Sequence, residues 1–207
     1  ITDEFSAFWN NLISEVTWWN RYRSKDASDM NLYTRSWSSW IVHMRDGKKQ
    51  TYWVAKTSRI ADPIDSTKIY AWLLDEERDA FDHVVSYTYQ LDGGQPYISD
   101  ISYWFDWAWG DPLYNIHFDY IIKSASLTSY RTQFEISTRK LLSWISLLVN
   151  GSKIRSYELV YDDPNTPISH LISITETAGT EKLPSMVFSY WGAQYSHMIT
   201  TVDNNRG

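Results

Sequence analysis

Cysteine is missing altogether from the 207 residues, which removes disulfides, thiolate metal sites and a cysteine nucleophile together. Glycine, at 8 residues, is too sparse and scattered for a phosphate-cradling loop, and no G-x-S-x-G elbow presents a serine nucleophile. Positive charge is in deficit. With 19 Lys and Arg against 25 Asp and Glu the net charge is -6, so there is no basic footprint for a phosphate backbone and nucleic-acid binding is disfavoured. No apolar run approaches the roughly 20 residues a membrane helix needs, and the N-terminus lacks a charged-then-apolar export pattern. Any such signal would lie outside this segment. Aromatics, by contrast, are abundant: 12 Trp and 15 Tyr within an aromatic share of 16% suit a pleated, half-buried surface. The length fits one all-β domain or a piece of a larger β assembly, with a core of its own. Ile1 at the start and Asp203-Asn204-Asn205-Arg206-Gly207 at the end lead us to expect a segment of a longer polypeptide.

The strongest pattern is a repeat. Val85-Ser86-Tyr87-Thr88-Tyr89 runs through Asp92-Gly93-Gly94 into Pro96-Tyr97-Ile98-Ser99-Asp100-Ile101-Ser102, and Arg155-Ser156-Tyr157-Glu158-Leu159-Val160-Tyr161 runs through Asp162-Asp163-Pro164-Asn165 into Pro167-Ile168-Ser169-His170-Leu171-Ile172-Ser173. Ser86 to Ser99 and Ser156 to Ser169 are both thirteen residues. A compressed third copy pairs Phe188-Ser189-Tyr190 with Ser196-His197-Met198-Ile199. Strand, polar turn and returning strand, written more than once, build a sheet hairpin by hairpin.

Two turns carry the hairpin signature of Asp-Gly or Asn-Gly between apolar runs: Arg45-Asp46-Gly47-Lys48 and Asn150-Gly151. Both central residues of each are expected at positive φ, as a type I′ turn requires. Further strands are expected at Val84-Leu91, Ile98-Trp104, Tyr114-Ile121, Phe134-Leu148 with a bend, Lys153-Tyr161, His170-Thr177 and Met186-Tyr190. Between Arg59 and Phe81 the pattern predicts a helical turn at most near Asp65-Tyr70, then one strand from Ala71 to Arg78 that turns at Asp79-Ala80-Phe81-Asp82. Residues 1–34 read both ways: Phe5, Phe8, Trp9, Leu12, Ile13 and Val16 recur at helical spacing, whereas Trp18-Trp19 and Tyr22 look like strand. The expected fold is all-β, successive antiparallel hairpins forming extended sheets with at most short helical segments. The chain divides into an N-terminal segment, residues 1–36, that the pattern does not place, and one β-rich region, 37–207, with no linker or internal domain boundary.

Candidate chemistry is thin. His43, His83, His117, His170 and His197 are isolated and match no short metal-spacing motif. The repeat places His170 and His197 where Asp100 stands in the first copy, an exchange a metal ligand would not tolerate, so these read as surface or strand-end histidines. Acidic residues cluster at Asp75-Glu76-Glu77-Arg78-Asp79 and Asp162-Asp163. Two facing carboxylates could hydrolyse a glycosidic bond, with Trp104, Trp107 and Trp109 stacking on sugar rings, but a solvated strand face and an Asp-built turn explain the same residues. Asn150-Gly151-Ser152 matches a glycosylation sequon, yet the tight turn accounts for it. We assign no catalytic, cofactor-binding or metal residue, and no cofactor.

From Trp37 to Trp191 an ordered series of fragments carries a resemblance: Trp40-Ile41-Val42 with Asp46-Gly47 and Tyr52; Ser58-Arg59-Ile60 with Asp62-Pro63; Ile69 with Trp72-Leu73-Leu74 and Asp79; and Val85-Ser86-Tyr87-Thr88-Tyr89. Ile98-Ser99-Asp100-Ile101-Ser102-Tyr103, Ile116-His117-Phe118-Asp119-Tyr120, Ser129-Tyr130-Arg131, Phe134-Glu135-Ile136, Thr138-Arg139-Lys140-Leu141, Arg155 to Tyr161, and Leu183-Pro184 leading to Val187-Phe188-Ser189-Tyr190 complete it. The order and spacing resemble the N-terminal region shared by the SpvB virulence proteins and the B components of insecticidal Tc toxin complexes. That resemblance implies a scaffold related to Rhs and YD-repeat shells, enclosing or presenting a toxic payload. It implies as partners other domains of the same large chain and the toxin-complex A and C components, and a secreted, extracellular setting. The ADP-ribosylation known for SpvB lies in a separate C-terminal domain whose motifs are absent here, so no enzymatic activity is expected of this segment. Where the family has a Gly-Asn turn this chain has Asp82-His83, and bulky residues replace glycine after Tyr52 and Tyr103. The alternative function is a carbohydrate-binding or glycoside-hydrolase-like β-sandwich module with a Trp-lined site.

Overall fold

The computed structural model describes residues 5–7, 10–15, 20–26, 28–37, 39–52, 54–105, 112–163 and 166–190. Among them every regular element is a strand: β1 (Phe5–Ala7), β2 (Asn10–Ser14), β3 (Arg21–Ser24), β4 (Leu32–Ser36), β5 (Ser39–His43), β6 (Lys49–Tyr52), β7 (Arg59–Ala61), β8 (Ile69–Trp72) and β9 (Leu74–Arg78). Longer strands follow: β10 (Val84–Asp92), β11 (Gln95–Phe105), β12 (Pro112–Ser129), β13 (Ile136–Val149), β14 (Ser152–Tyr161) and β15 (Leu171–Ala178), then the short β16 (Glu181–Lys182) and β17 (Met186–Val187). The all-β expectation holds. Strands pair antiparallel with their sequence neighbours in one 15-stranded sheet, except that β7 and β8 leave it to form a two-stranded sheet, β6 pairs directly with β9, and β17 pairs with β15. The first four strands, drawn from residues before 37, belong to that same sheet.

Turn chemistry explains the hairpins. Asn150 and Gly151 take φ of 47° and 72°, the expected type I′ pair between Val149 and Ser152. At Asp46-Gly47 only Gly47 turns positive, at 88°. Met44 N–H donates to the Lys48 carbonyl at 2.8 Å and Gly47 N–H to the Met44 carbonyl at 3.2 Å, so this is a longer loop ending in a left-handed glycine. Asp82, in the place of the family's glycine turn, reaches 66°, and the Asp79 carboxylate holds it there by accepting the Phe81 and His83 amides at 2.8 and 2.9 Å.

One expectation needs correction, and two open readings are settled. The single strand from Ala71 to Arg78 is two, because Leu73 donates its amide to Ser58 at 2.8 Å and sends the residues before it to the small sheet. Asp65 to Lys68 makes one turn built on the Asp65 carboxylate, which accepts the Thr67 amide and hydroxyl. The helical spacing near the N-terminus yields strands, with Leu12 paired to Ser24. Phe8, Trp9, Val16, Trp18 and Trp19 lie outside the described residues.

Burial is uneven along the chain. Tyr33, Trp40 and Val42, at 2, 4 and 2% exposure, form one cluster with Leu12, Tyr22, Met44, Tyr52 and Trp72 against it. Trp72 comes from the small sheet and meets Trp40 edge-on at 6.0 Å between ring centroids, so here the protein is two layers thick. The long strands β12 to β15 touch their ladder neighbours and, at one place, the β10–β11 hairpin that reaches over to β13. The successive pairs Val85–Tyr103–Tyr114–Val149 and Tyr87–Ile101–Ile116–Leu147 line one face, and all eight side chains are only half-buried.

Candidate functional site

The histidines and carboxylates gather in small groups, each closing a piece of backbone. In the β9–β10 turn Asp79 accepts the His83 amide at 2.9 Å and meets its Nδ1 at 2.8 Å, while its own amide donates to the His83 carbonyl at 3.1 Å. The β14–β15 loop repeats the device: Asp162 accepts the His170 amide at 2.8 Å, meets its Nδ1 at 2.8 Å, and donates to its carbonyl at 3.0 Å. These donors, the His170 amide foremost, pull the Asp162 carboxyl down to about 2. His170 and the Asp162-Asp163 pair are therefore a loop clasp. Asp163 adds a carbonyl that accepts the Ser169 hydroxyl at 2.8 Å.

The Asp75 to Asp79 cluster disperses. Buried Asp75 accepts the Ser58 hydroxyl at 2.8 Å and the Val54 amide; Glu76 meets Arg78 at 3.2 Å; Glu77 accepts from Gln50 at 2.8 Å. On β11 and β12, His117 sits between Asp100, 2.7 Å from Nδ1, and Asp119, 3.3 Å from Nε2. The hydrogen bond to Asp100 raises its pKa above the ordinary histidine value. His43 is an exposed strand end. Among the described residues no group of three His, Asp or Glu side chains is arranged to hold a metal ion. Trp107, Trp109 and His197 lie outside the described residues, as does the second arm of the third repeat copy.

A feature no local motif announces runs across the sheet. Four strand pairs carry a β-bulge in the same setting. Tyr52 faces Leu74 with Asp75 as the extra residue; Tyr89 faces Ile98 with Ser99 extra; Tyr120 faces Leu142 with Ser143 extra; Tyr161 faces Leu171 with Ile172 extra. Each aliphatic residue's carbonyl then accepts the hydroxyl of the next tyrosine: Tyr89 to Leu74 at 2.8 Å, Tyr120 to Ile98 at 2.8 Å, Tyr161 to Leu142 at 2.9 Å and Tyr190 to Leu171 at 2.9 Å. Burial pushes Tyr52, Tyr89 and Tyr120 up to about 12 and raises Tyr161, so the hydroxyls remain donors. The extra residue leaves ladder groups unpaired, and the tyrosine supplies the missing donor. This seam gives the true repeat. Tyr161 matches Tyr89 and Leu171 matches Ile98, so the thirteen-residue serine spacing is out of step and His170 does not stand in the place of Asp100.

Two surface hollows, of about 280 and 510 Å³, lie beside the small sheet and the β10–β11 turn, the first edged by Asp62 and Tyr70, the second by Gly93 and Arg139. Neither is lined by a histidine.

Residues 10–102 match the family model described as Salmonella virulence plasmid 65kDa B protein, SpvB. Residues 10–102 are thus an SpvB-like region. The N-terminal domain of the effector SpvB from Salmonella typhimurium strain LT2 superposes with a TM-score of 0.65 at 17% identity, covering 76% of this chain and 68% of that one. The crystal structure of TcdB2-TccC3 gives 0.70 at 17% identity over 82% of this chain and 12% of that one. The Photorhabdus luminescens Tc holotoxin pore gives 0.65 at 16% identity over 89% and 11%. At such identities the likeness is one of fold, and the chain spans only 11 to 12% of the toxin-complex chains. No curated protein sequence matches this chain.

Proposed function

We propose that this chain is a non-enzymatic structural segment of a bacterial toxin-complex B component or an SpvB-like virulence protein, contributing a stretch of β wall to a shell that encloses or presents a toxic payload outside the producing cell. The carrying observation is the sheet of β10 to β15, whose aromatic and aliphatic face stays half-buried. Fully burying one large apolar side chain contributes about 1.5–3 kcal/mol, so a face of this kind favours a neighbouring surface laid against it. Other domains of the same large chain fit that role, and the toxin-complex A and C components are partners by likeness. Chains of this likeness in TcdB2-TccC3 and in the Tc holotoxin pore belong to multi-component assemblies, which supports the reading. No helix is long and apolar enough to cross a membrane among the described residues. Expressing residues 1–207 alone and measuring sedimentation together with hydrophobic-dye binding tests the proposal. Self-association or strong dye uptake is expected, and a compact monomer that binds no dye overturns it.

A further inference from the structure

The first surface hollow, about 280 Å³ between the β7–β8 turn and the β12–β13 connection, has walls that are set before anything enters. On one side the Asp62 amide donates to the Lys68 carbonyl at 3.0 Å, and Asp62 Oδ1 accepts the Ile64 amide at 2.8 Å. On the other the Gln133 amide donates to the Tyr130 carbonyl at 3.0 Å, the Thr132 hydroxyl to the Phe134 carbonyl at 2.7 Å and the Tyr130 hydroxyl to Glu135 at 2.9 Å. Gln133 is held there at a φ of 69°, a left-handed conformation that glycine takes with less strain. Strain kept at the wall of a hollow points towards function.

The lining also keeps hydrogen-bonding capacity in hand. Oδ1 of Asp62 serves the Ile64 and Asp65 amides, but Oδ2, the Tyr70 hydroxyl and the Gln133 side-chain amide make no hydrogen bond among the described residues. Together they offer donors and acceptors side by side, next to the apolar surface of Ile69, Phe134 and the Tyr70 ring. Lys68, the cation of the lining, already lies 3.7 Å from Asp65 and so does not call for an anion. The second hollow differs, because Gly93, Ser137 and Arg139 on its wall already fasten the β10–β11 turn.

We propose that the first hollow binds one neutral sugar ring, a pyranose. Each ring hydroxyl both donates and accepts, which suits Asp62 Oδ2 and the Gln133 amide, while the C–H face of the ring suits the apolar side of Tyr70 and Phe134. The volume lies just below the roughly 300–1,000 Å³ range of ligand sites, which fits a single ring rather than a long chain. Walls fixed by their own hydrogen bonds lower the cost of ordering on binding. The lining residues are not those of the half-buried face of β10 to β15, so this recognition function goes beyond the wall reading and is tested apart from it.

The test titrates the full 207-residue chain with the methyl glycosides of glucose, galactose, mannose and N-acetylglucosamine, read by ligand-observed saturation-transfer NMR, which tolerates self-association of the protein. Binding of at least one glycoside on the order of 1–10 mM is expected for so small a ligand. Gln133→Gly removes the amide and relieves the φ, so binding should weaken at least about tenfold while the denaturant midpoint rises. Asp62→Asn keeps an acceptor for the Ile64 and Asp65 amides but exchanges Oδ2 for a donor, and a similar loss is expected with the midpoint held. Phe81→Ala, which removes an exposed aromatic side chain on the β9–β10 turn, should bind as the parent chain does. Silence across all four glycosides overturns the inference, as does binding that persists unchanged in both hollow variants. A response to glycine, a zwitterion, in place of the sugars overturns it too. Sedimentation of the same variants should match the parent chain, so loss of sugar binding with association intact leaves the wall reading standing.

Discussion

The strands from β2 to β9 and those from β10 to β15 reach stability by different routes. In the first group Tyr33, Trp40 and Val42 are buried together, with Trp72 of the small sheet packed against them beside Leu12, Tyr22, Met44 and Tyr52. In the second the strands are up to 18 residues long, yet the buried positions are scattered and mostly polar: Lys123, Ser143, Ser156 and Thr175, with Tyr97 and Ile136 as the apolar ones. The first is a core that strands happen to form. The second is a ladder tied by bulge-closing tyrosines, with its apolar work left for a neighbour.

The sharpest way to break the contrast is Trp40→Ala. Deleting a buried tryptophan costs about 3–5 kcal/mol, and amide exchange should show β3 to β6 losing protection while β12 to β14 keep theirs. Equal loss in both regions would mean the two share one cooperative unit. Gly93→Ala comes next. At Gly93, φ is 58° and a Cβ would lie 2.8 Å from the Ser137 carbonyl, so about 1–3 kcal/mol is expected, read as a lowered denaturant midpoint with exchange rising at the start of β13. Tyr161→Phe removes one seam hydroxyl. About 1 kcal/mol and faster exchange confined to the β12–β13 bulge at Leu142 and Ser143 are expected, and no local change there would show the seam to be incidental.

Two titrations complete the series with smaller effects. His117 has its pKa raised by Asp100, so its contribution is full below the ordinary histidine value and is lost as pH rises through the raised one. The groups facing it are Asp100 on β11, Asp119 on its own strand and the uncharged Ser146 on β13. His117→Gln should abolish the pH dependence of β11–β12 exchange in that window. Asp162, lowered to about 2, acts oppositely: its clasp on His170 is intact above the ordinary aspartate value and opens as pH falls towards 2. The His170 amide shift followed by NMR should report that opening, and Asp162→Asn should flatten it.

Much of the ladder was legible in the sequence because turn chemistry is local. Asn150-Gly151 dictates its own φ values, and alternation around Tyr87 and Tyr157 marks strands whatever they pair with. The seam was not legible, since a bulge is a property of two strands together: nothing in Ser99 or Ile172 alone says that it is the extra residue. Hence the serine spacing suggested a repeat and misplaced its register. The second layer over Trp40 was hidden for a related reason. Leu73 breaks the apparent Ala71 to Arg78 strand through a bond to Ser58, fifteen residues earlier, which no window over that strand contains. The Asp–His clasps were readable only as residue types, because the loops that bring them together differ in length.

The tip of the β10–β11 hairpin is fastened to a strand that comes much later. Gly93 accepts the Ser137 amide at 2.9 Å, Asp92 pairs with Arg139, and the Tyr97 hydroxyl, 42 residues before its partner, accepts the Arg139 amide at 2.9 Å. Neighbouring hairpins can zip as soon as each emerges from the ribosome, but this fastening must wait for the chain to travel out along β12 and return. Long-range closure of that kind slows folding, so the order of synthesis leaves a half-finished sheet exposed for an interval, and the timing of that interval falls to a single glycine-tipped turn.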